Sequence, residues 1–152
     1  MRFLIQMTVF GFRLAPILLI VYWVLLFTGT HLPGAALQGV KANDKLLHFL
    51  AFSGLAFLLA WSLPRYVFGR IPGLLIAAAI VLTYAAVDEW TQGFVPRRNP
   101  DVADFFADSL GMLVGFTTYL ILRGILLRSS LLTRESEDNP PTTVGPSAVN
   151  RV

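Results

Sequence analysis

The chain has 152 residues, of which 55% are hydrophobic and only 14% are charged. A mean hydropathy of +0.66 excludes an ordinary water-soluble globule, because a protein of this size cannot bury so much apolar surface. The absence of cysteine excludes disulfides and thiol chemistry, and a formal charge of +3 on so apolar a background excludes a nucleic-acid-binding domain. The composition therefore predicts an integral membrane protein built from helices.

Four apolar stretches are long enough to predict membrane helices. In chain order they cover residues 14–31, 46–63, 71–88 and 102–122. Their apolar runs are continuous, whereas the strands of a membrane barrel would alternate between apolar and polar residues. The predicted fold is therefore all-α, an integral membrane bundle of four transmembrane helices.

The fourth span has carboxylates at its membrane end. Its uncharged run, 109–122, is too short, because a bilayer core of about 30 Å needs ~20 helical residues. A helix that ends near Arg123 must begin near Val102 to cross the core. This requirement places Asp108 inside the membrane end and Asp104 near the interface.

The segments outside the spans complete one predicted membrane domain, residues 14–128. Residues 1–13 are expected to form a cytoplasmic N-terminal arm, and residues 129–152 a disordered cytoplasmic tail rich in Pro, Thr and Ser. Arginines are more frequent on the side of the two termini, which favours a cytoplasmic location for both. The first span lacks a sharp small-x-small cleavage site, so we expect it to be retained.

All the acidic residues outside the C-terminal tail gather at the other end of the predicted bundle, where three segments meet. Asp44 and His48 begin the second span and lie four residues apart, hence on one helical face. Asp44 also suits a helix N-cap or first-turn position. We call the whole group the polar cluster, and its members are Asp44, Lys45, His48, Asp88, Glu89, Gln92, Arg97, Arg98, Asp101, Asp104 and Asp108.

The carboxylates of the third and fourth spans are the least expected members. Asp88 and Glu89 at the C-terminal end of a helix oppose its dipole, which favours a paired role for them. Asp101, a plausible N-cap, is followed at i+3 and i+7 by Asp104 and Asp108, so the three form one acidic stripe. Carboxylates inside a membrane are costly unless they are paired or hydrated, and by default they indicate a functional site.

Four short stretches carry a family resemblance: residues 44–49 (DKLLHF), 88–92 (DEWTQ), 97–101 (RRNPD) and 104–111 (DFFADSLG). In this order they resemble the VanZ-like family of small bacterial membrane proteins, over about residues 14–122. Asp108 stands where members of that family often have Asn. The resemblance implies a multi-pass protein of the bacterial inner membrane. The named member of the family is associated with low-level resistance to the glycopeptide teicoplanin.

The first hypothesis is a non-enzymatic envelope protein that binds an amphiphile, either a lipid-linked cell-wall precursor or a lipoglycopeptide. Lys45, Arg97 and Arg98 would bind its phosphate or carboxylate groups, and the apolar spans would hold its chain. Membrane lipids are the other expected partners, and nucleic acid is not one. Gly111 and Gly115 form a GxxxG motif, which permits close helix packing within the chain or in a homo-oligomer.

The alternative is an intramembrane hydrolase or transferase. Its catalytic candidates are His48, Asp44, Asp104 and Asp108, with His48 as the base and Asp44 orienting it. No motif demands a cofactor, since the chain has no nucleophile elbow, zincin motif or phosphate loop. A divalent metal is the one cofactor that these residue types would suit, and its candidate ligands are Asp88, Glu89, Asp104 and Asp108. Proton or ion movement and a purely structural ion-pair network are also compatible with the cluster.

Overall fold

The computed structural model describes residues 8–9, 12–33, 44–64, 66–67 and 71–138. Within these ranges the chain forms four helices: α1 (Leu14–Thr30), α2 (Asp44–Ser62), α3 (Gly73–Gln92) and α4 (Val102–Asp138). Short antiparallel strand pairs precede α1 and α3: β1 (Thr8–Val9) with β2 (Phe12–Arg13), and β3 (Tyr66–Val67) with β4 (Ile71–Pro72).

The helices have the length and surface of a membrane domain. Three are long and apolar enough to cross a bilayer: α2, α3 and the first 28 residues of α4, Val102–Ser129. With 17 residues, α1 lies at the lower limit for a span of about 17–25 residues. Large apolar side chains such as Ile20, Leu25 and Leu75 are exposed on the outside, as expected where lipid is the solvent. The predicted all-α membrane bundle with four helices is confirmed.

Two helices are longer than the sequence predicted. Helix α3 continues past residue 88 to Gln92, because hydrogen bonds from neighbouring groups satisfy the carboxylates in its last turns. Helix α4 continues to Asp138, although a disordered tail was predicted from residue 129. The stretch 130–138 is polar but rich in Leu, Arg and Glu, which favour helix. The rest of the predicted tail, and most of the N-terminal arm, lie outside the described residues.

Helix α2 lies at the centre of the bundle and supplies much of its apolar core. On α3, Ala77, Val81 and Ala85 recur every four residues, so small side chains line the face that packs inward. Burial is complete at the middle of α2, where Phe52 and Leu55 have no exposed surface. The buried apolar cluster contains Leu26, Phe52, Leu55, Ala56, Leu59, Ala77, Val81, Ala85 and Met112.

Two glycines bring the backbone of α4 against that of α2. A Cβ added at Gly111 would lie 2.2 Å from the carbonyl oxygen of Phe49, and one added at Gly115 would lie 2.2 Å from that of Ser53. Carbon and oxygen atoms do not approach so closely without bonding, so only glycine permits this packing. The GxxxG motif therefore packs within the chain, which was one of the two arrangements that the sequence allowed.

This contact predicts a stability difference between glycines of the same helix. Gly115→Ala should lower the melting temperature in detergent, because overpacking of a filled interface costs about 1–3 kcal/mol. Gly124→Ala is the matched control, since a Cβ there meets no atom within 4 Å. Thermal unfolding followed by tryptophan fluorescence measures both. Equal melting temperatures for the two variants would contradict the proposed importance of the α2–α4 contact.

Candidate functional site

Most of the polar cluster comes together at one end of the bundle. The C-terminal turns of α1 and α3 meet the N-terminal turns of α2 and α4 there. Several polar side chains at this end are buried, namely Thr30, His48, Asp88, Glu89, Gln92, Asp104 and Asp108.

Lys45 joins the start of α2 to the start of α4. Its Nζ lies 2.5 Å from Oδ2 of Asp101 and 2.9 Å from Oδ1 of Asp104. Asp101 also caps α4, as predicted, because its Oδ1 accepts a 2.8 Å hydrogen bond from the Ala103 amide. The Lys45 ammonium and the Ala103 amide lower the pKa of the Asp101 carboxyl. The ion pair is therefore intact at neutral pH and is lost only as the pH falls below about 4.

His48, Glu89 and Asp108 are buried side by side, and we call these three residues the inner triad. Nδ1 of His48 lies 3.0 Å from Oδ1 of Asp108 and 3.9 Å from Oε1 of Glu89. The other oxygen of Glu89, Oε2, accepts a 2.9 Å hydrogen bond from the Asp101 amide. Oε1 of Glu89 and Oδ2 of Asp108 receive no hydrogen bond from the residues that the structure describes.

Asp88 is satisfied by side chains from two helices. The Thr30 hydroxyl of α1 donates to its Oδ1 at 2.8 Å, and the Gln92 amide donates to its Oδ2 at 2.8 Å. Beside them, Nε2 of His31 lies 3.0 Å from the Thr91 hydroxyl. Thr30 and His31 were not among the predicted site residues. The up-and-down order of the predicted spans could have pointed to these two residues, because it brings the C-terminal end of the first helix to the polar end of the bundle.

Two side chains are placed differently from what the sequence suggested. His48 was expected to be oriented by Asp44, but its hydrogen-bond partner is Asp108. The four-residue spacing aligns Asp44 with His48 on α2, yet the Asp44 side chain is 55% exposed and lies 3.9 Å from Arg98. Arg97 was expected in the cluster, but it is exposed in a turn, with φ of 62°. Arg97 makes no ion pair with any described residue. Its neighbour Arg98 is the residue whose side chain reaches the site.

Arg98 is the arginine that reaches the cluster. Its Nη1 donates a 2.9 Å hydrogen bond to Oε1 of Gln92 and lies 3.9 Å from Oδ2 of Asp44. Its side chain is only 10% exposed. Arg98 therefore ties the loop between α3 and α4 to the last turn of α3.

A cavity of about 320 Å³ opens between α1 and α2 next to the cluster, and we call it the lateral cavity. Leu25 and Leu47 line it and are exposed on the outer face of the bundle, so it opens sideways toward lipid. Its apolar wall also includes Leu26, Leu32 and Ala51. Its polar end is formed by Thr30, Asp44, His48 and Arg98.

These features define a small helical membrane protein with a buried acid–histidine site at one membrane end and a cavity open to the bilayer. The chain matches the VanZ/LLP1 family model over residues 14–123, and it belongs to that family. The match runs from the start of α1 to Arg123 on α4, so it includes every residue of the polar cluster. No curated protein and no solved structure matches the chain significantly.

The hydrogen bond between α1 and α3 predicts the effect of removing one hydroxyl. Thr30→Val should destabilise the protein by about 1–3 kcal/mol, because a buried oxygen of Asp88 loses its donor. Thr28→Val is the matched control, since the Thr28 hydroxyl is exposed and bonds only within its own helix, to the Val24 carbonyl. Thermal unfolding in detergent compares the two. A Thr30→Val protein as stable as Thr28→Val would show that Asp88 does not depend on α1.

Proposed function

We propose that this VanZ/LLP1 protein binds an amphiphile, a lipid-linked cell-wall precursor or a lipoglycopeptide, in the lateral cavity. The observation that carries the proposal is a cavity with an apolar wall open to lipid and a charged, hydrogen-bonding end. Its volume of about 320 Å³ lies at the lower end of the range of ~300–1,000 Å³ for small-molecule sites. The cavity would therefore hold a head group and the adjoining part of the chain, and the remainder would stay in the bilayer.

Arg98 is the residue best suited to bind the anionic head group. The sequence offered three basic residues for this role, but Lys45 is engaged by Asp101 and Asp104, and Arg97 lies in the exposed turn. The guanidinium of Arg98 has five N–H donors, and the described contacts use its Nη1 with Gln92. The other donors suit a two-point contact with a phosphate or carboxylate.

The binding proposal predicts the behaviour of two variants in native mass spectrometry of the detergent-purified protein. A polyprenyl phosphate and, separately, teicoplanin serve as probes. Arg98→Gln should bind the probe about tenfold more weakly or worse, since a charged hydrogen bond contributes about 1.5–3 kcal/mol. Gly29→Leu should prevent binding by filling the cavity, and it should fold because a Cβ at Gly29 meets no atom within 4 Å.

Gly124→Leu is the control for the filled cavity, because a Cβ there also meets no atom within 4 Å. It lies next to Arg123, which lines a second cavity of about 350 Å³ at the opposite end of the bundle. Equal loss of binding in Gly124→Leu and Gly29→Leu would show that the loss does not come from filling the lateral cavity. Unchanged binding in Arg98→Gln and Gly29→Leu would refute the proposal.

The hydrogen bond between His48 and Asp108 favours one second candidate, a hydrolase or transferase acting on the same amphiphile. An imidazole held by a buried carboxylate beside a ligand cavity has the arrangement of a general base. The same mass spectra distinguish the two functions, since an enzyme would release a cleaved probe. Cleavage by the wild type, together with binding but no cleavage by His48→Gln, would favour the enzyme.

We further propose that the protein lies in the bacterial inner membrane with both termini in the cytoplasm. The support is the distribution of charge: Arg123 and Arg128 lie toward the end of α4 that is far from the site, whereas the carboxylates of the polar cluster lie at the other end. On this proposal the polar cluster and the lateral cavity face the extracytoplasmic side, where cell-wall precursors are used.

The orientation predicts which introduced cysteines react from outside. The chain has no cysteine, so single cysteines report the position of one residue each. Asn99→Cys, in the exposed loop between α3 and α4, should react with a membrane-impermeant maleimide on intact cells. Pro64→Cys, exposed after α2, should react only after the cells are lysed. The reverse pattern would place the termini outside.

A further inference from the structure

We propose that the inner triad of His48, Glu89 and Asp108 binds a divalent transition-metal ion, Zn²⁺ or Mn²⁺. One ligand atom from each residue, a ring nitrogen or a carboxylate oxygen, lies within 4.8 Å of the other two. The three side chains come from α2, α3 and α4, so an ion would join three helices. All are more than nine-tenths buried, with exposures of 3% for His48, 8% for Glu89 and 0% for Asp108.

The observation that points to a ligand is that Glu89 and Asp108 each have one buried carboxylate oxygen without a hydrogen-bond donor among the described residues. Each carboxylate of the triad has one satisfied oxygen, through the Asp101 amide for Glu89 and through the His48 ring for Asp108. The second oxygen of each is buried and accepts no hydrogen bond from the part of the chain that the structure describes. Buried polar atoms in native proteins are normally satisfied, and two such exceptions beside one imidazole suggest a bound cation.

The charges around the triad also favour a cation with two positive charges. Lys45 is held by Asp101 and Asp104, and Arg98 contacts Gln92 and Asp44. Among the described residues, His48 is the one basic side chain within 4.0 Å of Glu89 or Asp108, and the carboxylates of Asp88 and Asp104 interact with them as well. As ligands of an ion, two carboxylates and a neutral imidazole would carry a charge of −2, which one divalent ion would balance. Uncompensated charge at a membrane end is costly, so the balance stabilises the fold as well.

The donor set and its spacing indicate the kind of ion. Imidazole suits zinc and neighbouring transition metals, whereas carboxylates also suit manganese, so one nitrogen with two oxygens favours Zn²⁺ or Mn²⁺. Ca²⁺ would need six to eight oxygens. Ligands of a tetrahedral ion with bonds of about 2.1 Å lie about 3.4 Å apart. Nδ1 of His48 lies 3.0 Å from Oδ1 of Asp108 and 3.9 Å from Oε1 of Glu89. Binding through Nδ1 would replace the His48–Asp108 hydrogen bond with bonds to the ion, and the three ligand atoms, now within 4.8 Å of one another, would move closer to that spacing.

The direct test is the metal content of the full-length protein purified without chelator, measured by inductively coupled plasma mass spectrometry. We expect one zinc or manganese ion per chain in the wild type and at least a tenfold loss in Glu89→Gln and Asp108→Asn. Asp104→Asn is the matched control, because it also removes a buried carboxylate of the cluster but spares the triad. It should keep its ion.

A second measurement keeps the test independent of how the variants fold. Wild-type protein stripped with chelator should melt at a higher temperature when ZnCl₂ or MnCl₂ is added, and MgCl₂ should have a much smaller effect. Neither measurement uses an amphiphile, so the outcome does not depend on the ligand of the lateral cavity. A wild type without metal whose melting temperature none of the ions changes would overturn the proposal. Loss of the ion in Asp104→Asn with retention in Glu89→Gln would also overturn it.

Discussion

The backbone contact between α2 and α4 determines the geometry of the whole polar end. The two helices run in the same direction from that end, and Gly111 lies against the Phe49 carbonyl. About one turn of α4 nearer the polar end, His48 contacts Asp108. About one more turn in the same direction, Lys45 contacts Asp104. A bulkier residue in the GxxxG motif would separate the helices, and each acid would then lie too far from its basic partner.

The lateral cavity and the inner triad share one residue, His48. His48 contributes to the polar end of the cavity, and its Nδ1 contacts the carboxylates of the triad. A ligand in the cavity and an ion in the triad would therefore each influence the other through the same imidazole. Thr30 couples a further part of the site, because it lines the cavity and also holds Asp88. Movement of α1 would alter the cavity and this carboxylate together.

The sequence was sufficient for the helices and for most members of the cluster, because carboxylates such as Asp108 stand out in an apolar chain. It was not sufficient for their pairing. Spacing within α2 suggests Asp44 as the partner of His48, whereas the actual partner is set by contacts between helices. The sequence alone does not say which of the adjacent Arg97 and Arg98 faces the cluster, because the conformation of the loop decides it, and in the structure it is Arg98. The extension of α4 was missed because a polar composition resembles a tail even where helix formers dominate.

Helix α4 is also a continuous rod that is much longer than the membrane is thick. Its 37 residues extend about 55 Å, and even a tilt of about 40° would leave ~42 Å along the membrane normal, against a core of about 30 Å. Unbroken backbone hydrogen bonds resist twisting along such a rod. A displacement of α4 near Asp104 and Asp108 would therefore meet no loop before Asp138 that could absorb it. One uninterrupted helix thus joins the residues of the site to the far end of the bundle.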